Sequence, residues 1–142
     1  MEHRISLVTL GVEDLGRAEA FYAAMGWEKH PASVDGNVTF YQALGQVLGL
    51  YPRASLSSDM HGRVLGEGSG GVTLAQNTRE REEVDALFAR ALAAGGTEVA
   101  APVDMPWGGY VAYVADPDGN VWEFAHVPGF PLAADGALVL PS

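Results

Sequence analysis

Apolar residues recur along the chain in two blocks that share one order of periods. In the first, Val8 and Leu10 alternate with Leu7 and Thr9, the two-residue repeat of a strand whose faces differ. Asp14 then precedes Leu15, Ala18, Phe21, Tyr22 and Met25, the i, i+3, i+4, i+7 spacing of a one-sided helix, with Asp14 as its cap and Gly26 as its stop. The triplet Val8-Thr9-Leu10 returns 64 residues later as Val72-Thr73-Leu74. There Thr78 is expected to open a second helix with Val84, Leu87, Phe88, Ala91 and Leu92 on one side, ended by Gly95-Gly96.

Each helix is followed by short runs of strand composition separated by turn residues. In the first half these are about 27–34, 37–43 and 46–51, with Asp35-Gly36 and Leu44-Gly45 as bends. In the second they are about 97–103, 109–115 and 120–127, divided by Pro106-Trp107-Gly108 and by Asp116-Pro117-Asp118-Gly119. Each half therefore reads βαβββ, and the fold class is α+β. Residues 4–52 form the first module and 70–127 the second; the Ser-, Gly- and charge-rich stretch 53–69 is the expected joint, and 128–142 a tail along the surface. The match of Asp35-Gly36-Asn37-Val38 to Asp118-Gly119-Asn120-Val121 falls at a different offset, 83 residues, so it marks similar hairpins and not equivalent ones.

Alternation assigns two faces to every strand. Val8, Leu10, Leu48, Leu50, Val72, Leu74, Trp122 and Phe124 form the large apolar set that packs on helices. The opposite set is smaller or more polar, as a cavity wall would be: Leu7, Thr9, Gly49, Tyr51, Gly71, Thr73, Val121 and Glu123. One carboxylate stands in it.

Composition narrows the chemistry. The 142 residues, 48% hydrophobic and 18% charged, suit one globular domain or two small fused modules, and no apolar run is long enough to span a membrane. Eighteen acidic residues against eight basic ones give a net charge of -10, which repels nucleic-acid backbones and attracts small cations. Cysteine is absent, so disulfides, thiolate metal sites and thiol nucleophiles are excluded, and a metal would need His, Asp or Glu. The N-terminus shows no apolar signal region, so a cytoplasmic location is expected.

Three segments carry a family resemblance: VTLGVEDLGRAEAFYAAMGW, VTLAQNTREREEVDALFARALAAGG and WGGYVAYVADPDGNVWEF. Together they resemble the vicinal oxygen chelate superfamily, which includes glyoxalase I, extradiol dioxygenases, and the fosfomycin and bleomycin resistance proteins. The last segment is the most specific, an Asp-Pro-Asp-Gly turn before an aromatic-rich strand ending in Glu. The resemblance implies two βαβββ modules with curved mixed sheets around a cleft, and a homodimer. Metal-using members place one ligand on the first and last strand of each module; those positions are Leu7, Gly49, Gly71 and Glu123 here. Three of the four carry no donor, and one carboxylate falls short of the roughly three protein ligands a divalent ion needs. No cofactor is therefore expected.

His3, His30, His61 and His126 show no ligand spacing, and His126, three residues beyond Glu123 on one strand, faces the other way. Glu123 itself has two readings. It is a general base or an anion that pairs with a cationic ligand, or else a carboxylate tied by a hydroxyl such as Thr9 or Thr73 or exposed at the cleft mouth. No Ser-His-Asp arrangement is visible, and the glycines of 66–71 lack the Lys-Ser/Thr of a phosphate loop. Trp107 and Tyr110 flank a Gly-Gly pair in a loop and suit ligand stacking, whereas Trp27 and Trp122 suit the core or a dimer contact. Such rings contribute about 0.5–2 kcal/mol over a cation.

The expected ligand-binding set is Leu7, Thr9, Tyr41, Gly49, Tyr51, Gly71, Thr73, Trp107, Tyr110 and Glu123. It points to metal-independent binding of a small aromatic or cationic compound, a drug for example, with neither nucleic acid nor membrane as partner. The alternative is a lyase, isomerase or dioxygenase of the resembled type, with Glu123 as general base or residual metal ligand. A third reading is an interaction module whose cleft is plugged by Tyr41, Tyr51 and Trp107.

Overall fold

The computed structural model describes residues 2–142; Met1, where the expected domain begins, lies outside the described residues. The chain divides into two compact units, Met1–Glu67 and Gly68–Ser142, each with its own sheet. The first contains β1 (Leu7–Val12), α1 (Leu15–Ala24), β2 (Thr39–Ala43), β3 (Gln46–Pro52) and α2 (Arg53–Asp59). The second contains β4 (Thr73–Thr78), α3 (Arg81–Ala93), β5 (Thr97–Asp104), β6 (Tyr110–Ala115) and β7 (Val121–His126).

In the first unit the strand order is β1-β3-β2, with β1 parallel and β2 antiparallel to β3. Helix α1 forms as its spacing predicts. The Asp14 carboxylate accepts from the Arg17 N–H at 2.9 Å, Ala18, Phe21 and Tyr22 are buried, and the chain leaves the helix through Gly26 at φ 94°. Tyr22, Trp27 and Tyr41 form a ring cluster with centroids 5.8–6.4 Å apart, and Leu48 and Leu50 complete this core.

Two expectations fail in this unit. The segment 27–34 is not a continuous strand: it makes two isolated bridges, Lys29 to Tyr41 and Val34 to Val38. Pro31 interrupts it, since proline has no N–H to give a ladder. Side chains take over at the break, with the Phe40 N–H donating to Ser33 Oγ at 2.9 Å and the Ala32 N–H to His30 Nδ1 at 3.1 Å. Lys29 then ties the loop down by donating to Glu19 at 2.9 Å and Asp35 at 2.8 Å, while buried Thr39 donates its hydroxyl to Glu19. The second difference is α2, which occupies the expected joint 53–69. Its seven residues hold one large apolar side chain, Leu56, too few for a helical period to show. A Cβ at Gly11 would meet Arg53 Cγ at 3.2 Å and Leu56 Cδ2 at 3.3 Å, so α2 covers the end of the sheet where Gly11 pairs with Tyr51.

The second unit has the expected βαβββ order. Its sheet runs β4-β7-β6-β5, with β4 parallel to β7 and the other pairs antiparallel. Thr78 does not open α3. It is the last residue of β4, and Glu80 is the cap, in a reciprocal box with Glu83. Val84 and Ala91 of α3 are buried, as are Ala112, Val114, Trp122 and Phe124 of the sheet. The tail is held by Arg79, whose guanidinium donates to the carbonyls of Leu132, Ala133 and Ala134 at 3.3, 2.6 and 3.2 Å.

The β6–β7 turn depends on one buried acid. Asp116 is 2% exposed, and its Oδ1 accepts from the N–H groups of Asp118 and Asn120, both at 2.9 Å. Asn120 Nδ2 also reaches Oδ2 at 3.0 Å. Asp116→Ala strands these donors and should cost about 2–3 kcal/mol, read as a fall in the urea midpoint; a change below about 0.5 kcal/mol would contradict this role. Burial, then the nearby Glu19 charge, pushes the Tyr41 hydroxyl up to about 12. Ionised Tyr41 is thus penalised in the folded chain only. Stability should hold below pH 10 and fall as pH rises from about 10 to 12, and Tyr41→Phe should flatten that fall in a pH series of melts.

Candidate functional site

Register decides which side chains share a face. On β4, β7 and β6 the residues level with one another are Thr73, Val121 and Ala115, then Ala75, Glu123 and Tyr113, then Asn77, Ala125 and Val111. The intervening residues Leu74, Trp122, Phe124, Ala112 and Val114 lie on the α3 side, so Glu123 stands on the opposite face. Ala75 lies on one side of it and Tyr113 on the other; Ala100 of β5 extends the row. Glu123 is the single ionisable carboxylate among these nine positions. Among the described residues, no Lys, Arg or His side chain forms an ion pair with it.

Tyr113 is half-buried and stands directly opposite Glu123 across the strand pair. Desolvation, then the Glu123 charge, raises its hydroxyl above the usual tyrosine value. Sequence reasoning missed Tyr113 as a site residue. Five residues, 116–120, separate the paired ends Ala115 and Val121, which sets Tyr113 against Glu123; the four-residue bend expected from the sequence sets it against Trp122.

In the first unit Leu7 is 45% exposed on β1, and Thr9, the residue level with Gly49, is also exposed. A Cβ at Gly49 would meet Leu7 Cδ1 at 3.4 Å and Phe40 at 3.6 Å, so this position is bordered by apolar carbon. Tyr41 is not a wall residue: it is 2% exposed in the aromatic core. Tyr51 donates its hydroxyl to Asp59 of α2 at 3.1 Å. In the second unit Gly71 lies not on β4 but in the turn before it, at φ 83°, and Thr73 begins the strand, exposed. Tyr41, Tyr51 and Trp107 are each engaged locally, which removes the support for a plug made of them.

Trp107 and Tyr110 separate. Tyr110 belongs to a surface staple on α3: its hydroxyl donates to Asp85 at 2.7 Å, and the Arg81 guanidinium lies 3.7 Å from its ring centre while also pairing with Asp104. It is not an open stacking platform. Trp107 is 58% exposed at the β5–β6 turn, closed by bonds between Met105 and Gly109 and between Gly108 and Met105 at 2.8 and 2.9 Å. One face of its indole rests on buried Gly109, where a Cβ would come within 2.2 Å of Cη2 and Cζ3. Gly109→Ala must push the ring aside. One of the three indole N–H resonances in an NMR spectrum should then move while those of Trp27 and Trp122 stay; three unchanged resonances would contradict the contact.

The metal positions of the resembled family do not fit a metal here. Leu7, Gly49 and Gly71 offer no side-chain donor, which leaves Glu123 as the single donor of the four. Among the described residues no three His, Asp or Glu side chains gather closely enough to hold an ion. No helix among them is long and apolar enough to cross a membrane.

Comparison with known proteins follows this geometry. A search of curated proteins gave no match. Among solved structures, the chain is similar to a glyoxalase-related enzyme from Fulvimarina pelagi, at 35% identity and a TM-score of 0.91 over 99% of this chain and 100% of that one. It is also similar to a glyoxalase/bleomycin resistance protein from Albidiferax ferrireducens, at 29% identity and a TM-score of 0.66 over 87% and 98% of the two chains. A lactoylglutathione lyase from Agrobacterium tumefaciens gives 25% identity and a TM-score of 0.69 over 89% and 95%. The family model of this group matches residues 4–124, and the chain belongs to the Glyoxalase/Bleomycin resistance protein/Dioxygenase superfamily.

Proposed function

We propose that the protein binds a small, positively charged organic molecule, aromatic in part, without a metal ion. The observation that carries this reading is the isolation of Glu123. A half-buried carboxylate surrounded by Ala75, Val121, Ala125 and Tyr113, with no cationic side chain paired to it, lacks the countercharge that partly buried acids usually have. A ligand cation supplies that countercharge, and the Tyr113 ring beside it offers an aromatic face. The small side chains of Ala75 and Thr73 leave room on the β4 side. The net charge of -10 favours the approach of cations over anions.

Enzymatic action is the second reading, favoured by the placement of Tyr113 directly opposite Glu123, which sets a hydroxyl-bearing ring beside a candidate base, and by the likeness to a glyoxalase-related enzyme. With Glu123 as the base, Glu123→Gln would abolish turnover and leave affinity nearly intact.

Benzamidine and benzamide test the binding reading, because they share shape and differ in charge. NMR titration should show benzamidine binding more tightly, and Glu123→Gln should reduce benzamidine affinity about tenfold while changing benzamide affinity less than about twofold. Equal losses for both probes, or none for benzamidine, would contradict a charge-reading role for Glu123.

A further inference from the structure

The face that carries Glu123 holds a further polar side chain that neither the family's metal positions nor the expected site includes. Asn77 of β4 is level with Ala125 of β7, two residues along from the pair Ala75 and Glu123, so alternation puts it on the same face. Glu123 and Asn77 thus stand at opposite corners of a patch whose other corners are Ala75 and Ala125. A strand spacing of about 4.8 Å and a rise of about 6.6 Å over two residues set their Cα atoms about 8 Å apart, and the alanines fill little of the space between their side chains.

The row of Asn77 is the covered part of this face. Ala125 and Val111, level with it on β7 and β6, are each 1% exposed, whereas Thr73 and Ala75 earlier on β4 are exposed. Asn77 is half-buried beside them, and among the described residues its side-chain amide has no hydrogen-bond partner. Comparable groups of the same unit are satisfied: the Thr78 hydroxyl donates to the Glu80 carbonyl at 2.9 Å, and the Asn120 amide donates to Asp116 at 3.0 Å. An amide set in an apolar row is costly unless something pairs with it, and this one can both donate and accept.

From this arrangement we infer that Asn77 is a second binding residue of the Glu123 site, and that the ligand it selects is a cation carrying a neutral hydrogen-bonding group, a hydroxyl or a carboxamide, close to its charge. This rests on the reading of Glu123 as a ligand-binding carboxylate and narrows it. The charged end pairs with Glu123, the neutral group with the Asn77 amide, and the body of the ligand lies over Ala75 and Ala125. A bare hydrocarbon ring beside the cation leaves the amide unpaired and forgoes that gain.

Benzamidine and 3-hydroxybenzamidine share the cation and differ by one hydroxyl meta to it. In an NMR titration of the wild type, 3-hydroxybenzamidine should bind roughly three- to tenfold more tightly. Asn77→Leu keeps the size of the side chain and removes the amide; it should bring the two probes within about twofold of one another, as should Asn77→Ala, which covers the case of a leucine that disturbs the strand. The Asn77 side-chain NH2 pair, assigned by its loss in Asn77→Leu, should move further with 3-hydroxybenzamidine than with benzamidine. Equal affinity of the two probes in the wild type, or a preference for the hydroxyl that survives both variants, would overturn the role of Asn77 and leave that of Glu123 standing. If Glu123→Gln leaves benzamidine affinity unchanged, the carboxylate reading fails, and the inference about Asn77 falls with it.

Discussion

Alternation of side chains across a β-sheet with a helix on one side is the constraint from which the candidate site follows. Helix α3 presents Val84 and Ala91 to the second sheet, which returns Ala112, Val114, Trp122 and Phe124. The approach is close at the end of the helix, where a Cβ on Gly96 would stand 2.8 Å from Val114 Cγ1. Once these residues are buried, Tyr113 and Glu123 have no choice but the other face. A slip of one residue in β7 would drive the carboxylate into apolar packing and expose Trp122, at a cost of several kcal/mol. The site is therefore fixed by the core behind it.

What that face carries is a charge without a counterpart. In the first unit Glu19 sits in a dense set of partners, Thr39 and Lys29, which lower its ionisation below the usual carboxylate range, the Thr39 hydroxyl first. Arg81 and Asp104 neutralise one another on the outer side of α3. Glu123 is treated differently, with Tyr113 level with it on one side and Ala75 on the other. Three of the four positions that hold metal donors in metal-using members of the family are leucine or glycine here, and a Cβ at Gly49 would meet Leu7 Cδ1 at 3.4 Å. The same scaffold supports many chemistries, so the distribution of donors on the sheet carries the functional argument and the fold does not.

The second module was readable in the sequence because its signals are local. Alternation in 110–115 and 121–126 marks both strands, and the five residues between them set the register. The first module was less so, since Pro31 removes a ladder donor inside an otherwise strand-like run and α2 holds too few apolar residues to show a period. Tyr110 was misjudged for a different reason. Its partners, Arg81 and Asp85, lie on α3, and no nearby sequence feature announces them. Tyr41 likewise joins Tyr22 and Trp27 through tertiary packing alone. Tyr113 escaped because the expected four-residue bend sets it level with Trp122, one position short of Glu123.

Elemental analysis of protein purified without chelators and without added metal tests the account most directly, because a lone carboxylate and a divalent-ion centre make opposite demands on the same residue. Zinc, iron, manganese, nickel and cobalt should all remain far below one equivalent per chain, with the same low values in Glu123→Gln. One tightly held equivalent of any of them in the wild type, lost in Glu123→Gln, would contradict it.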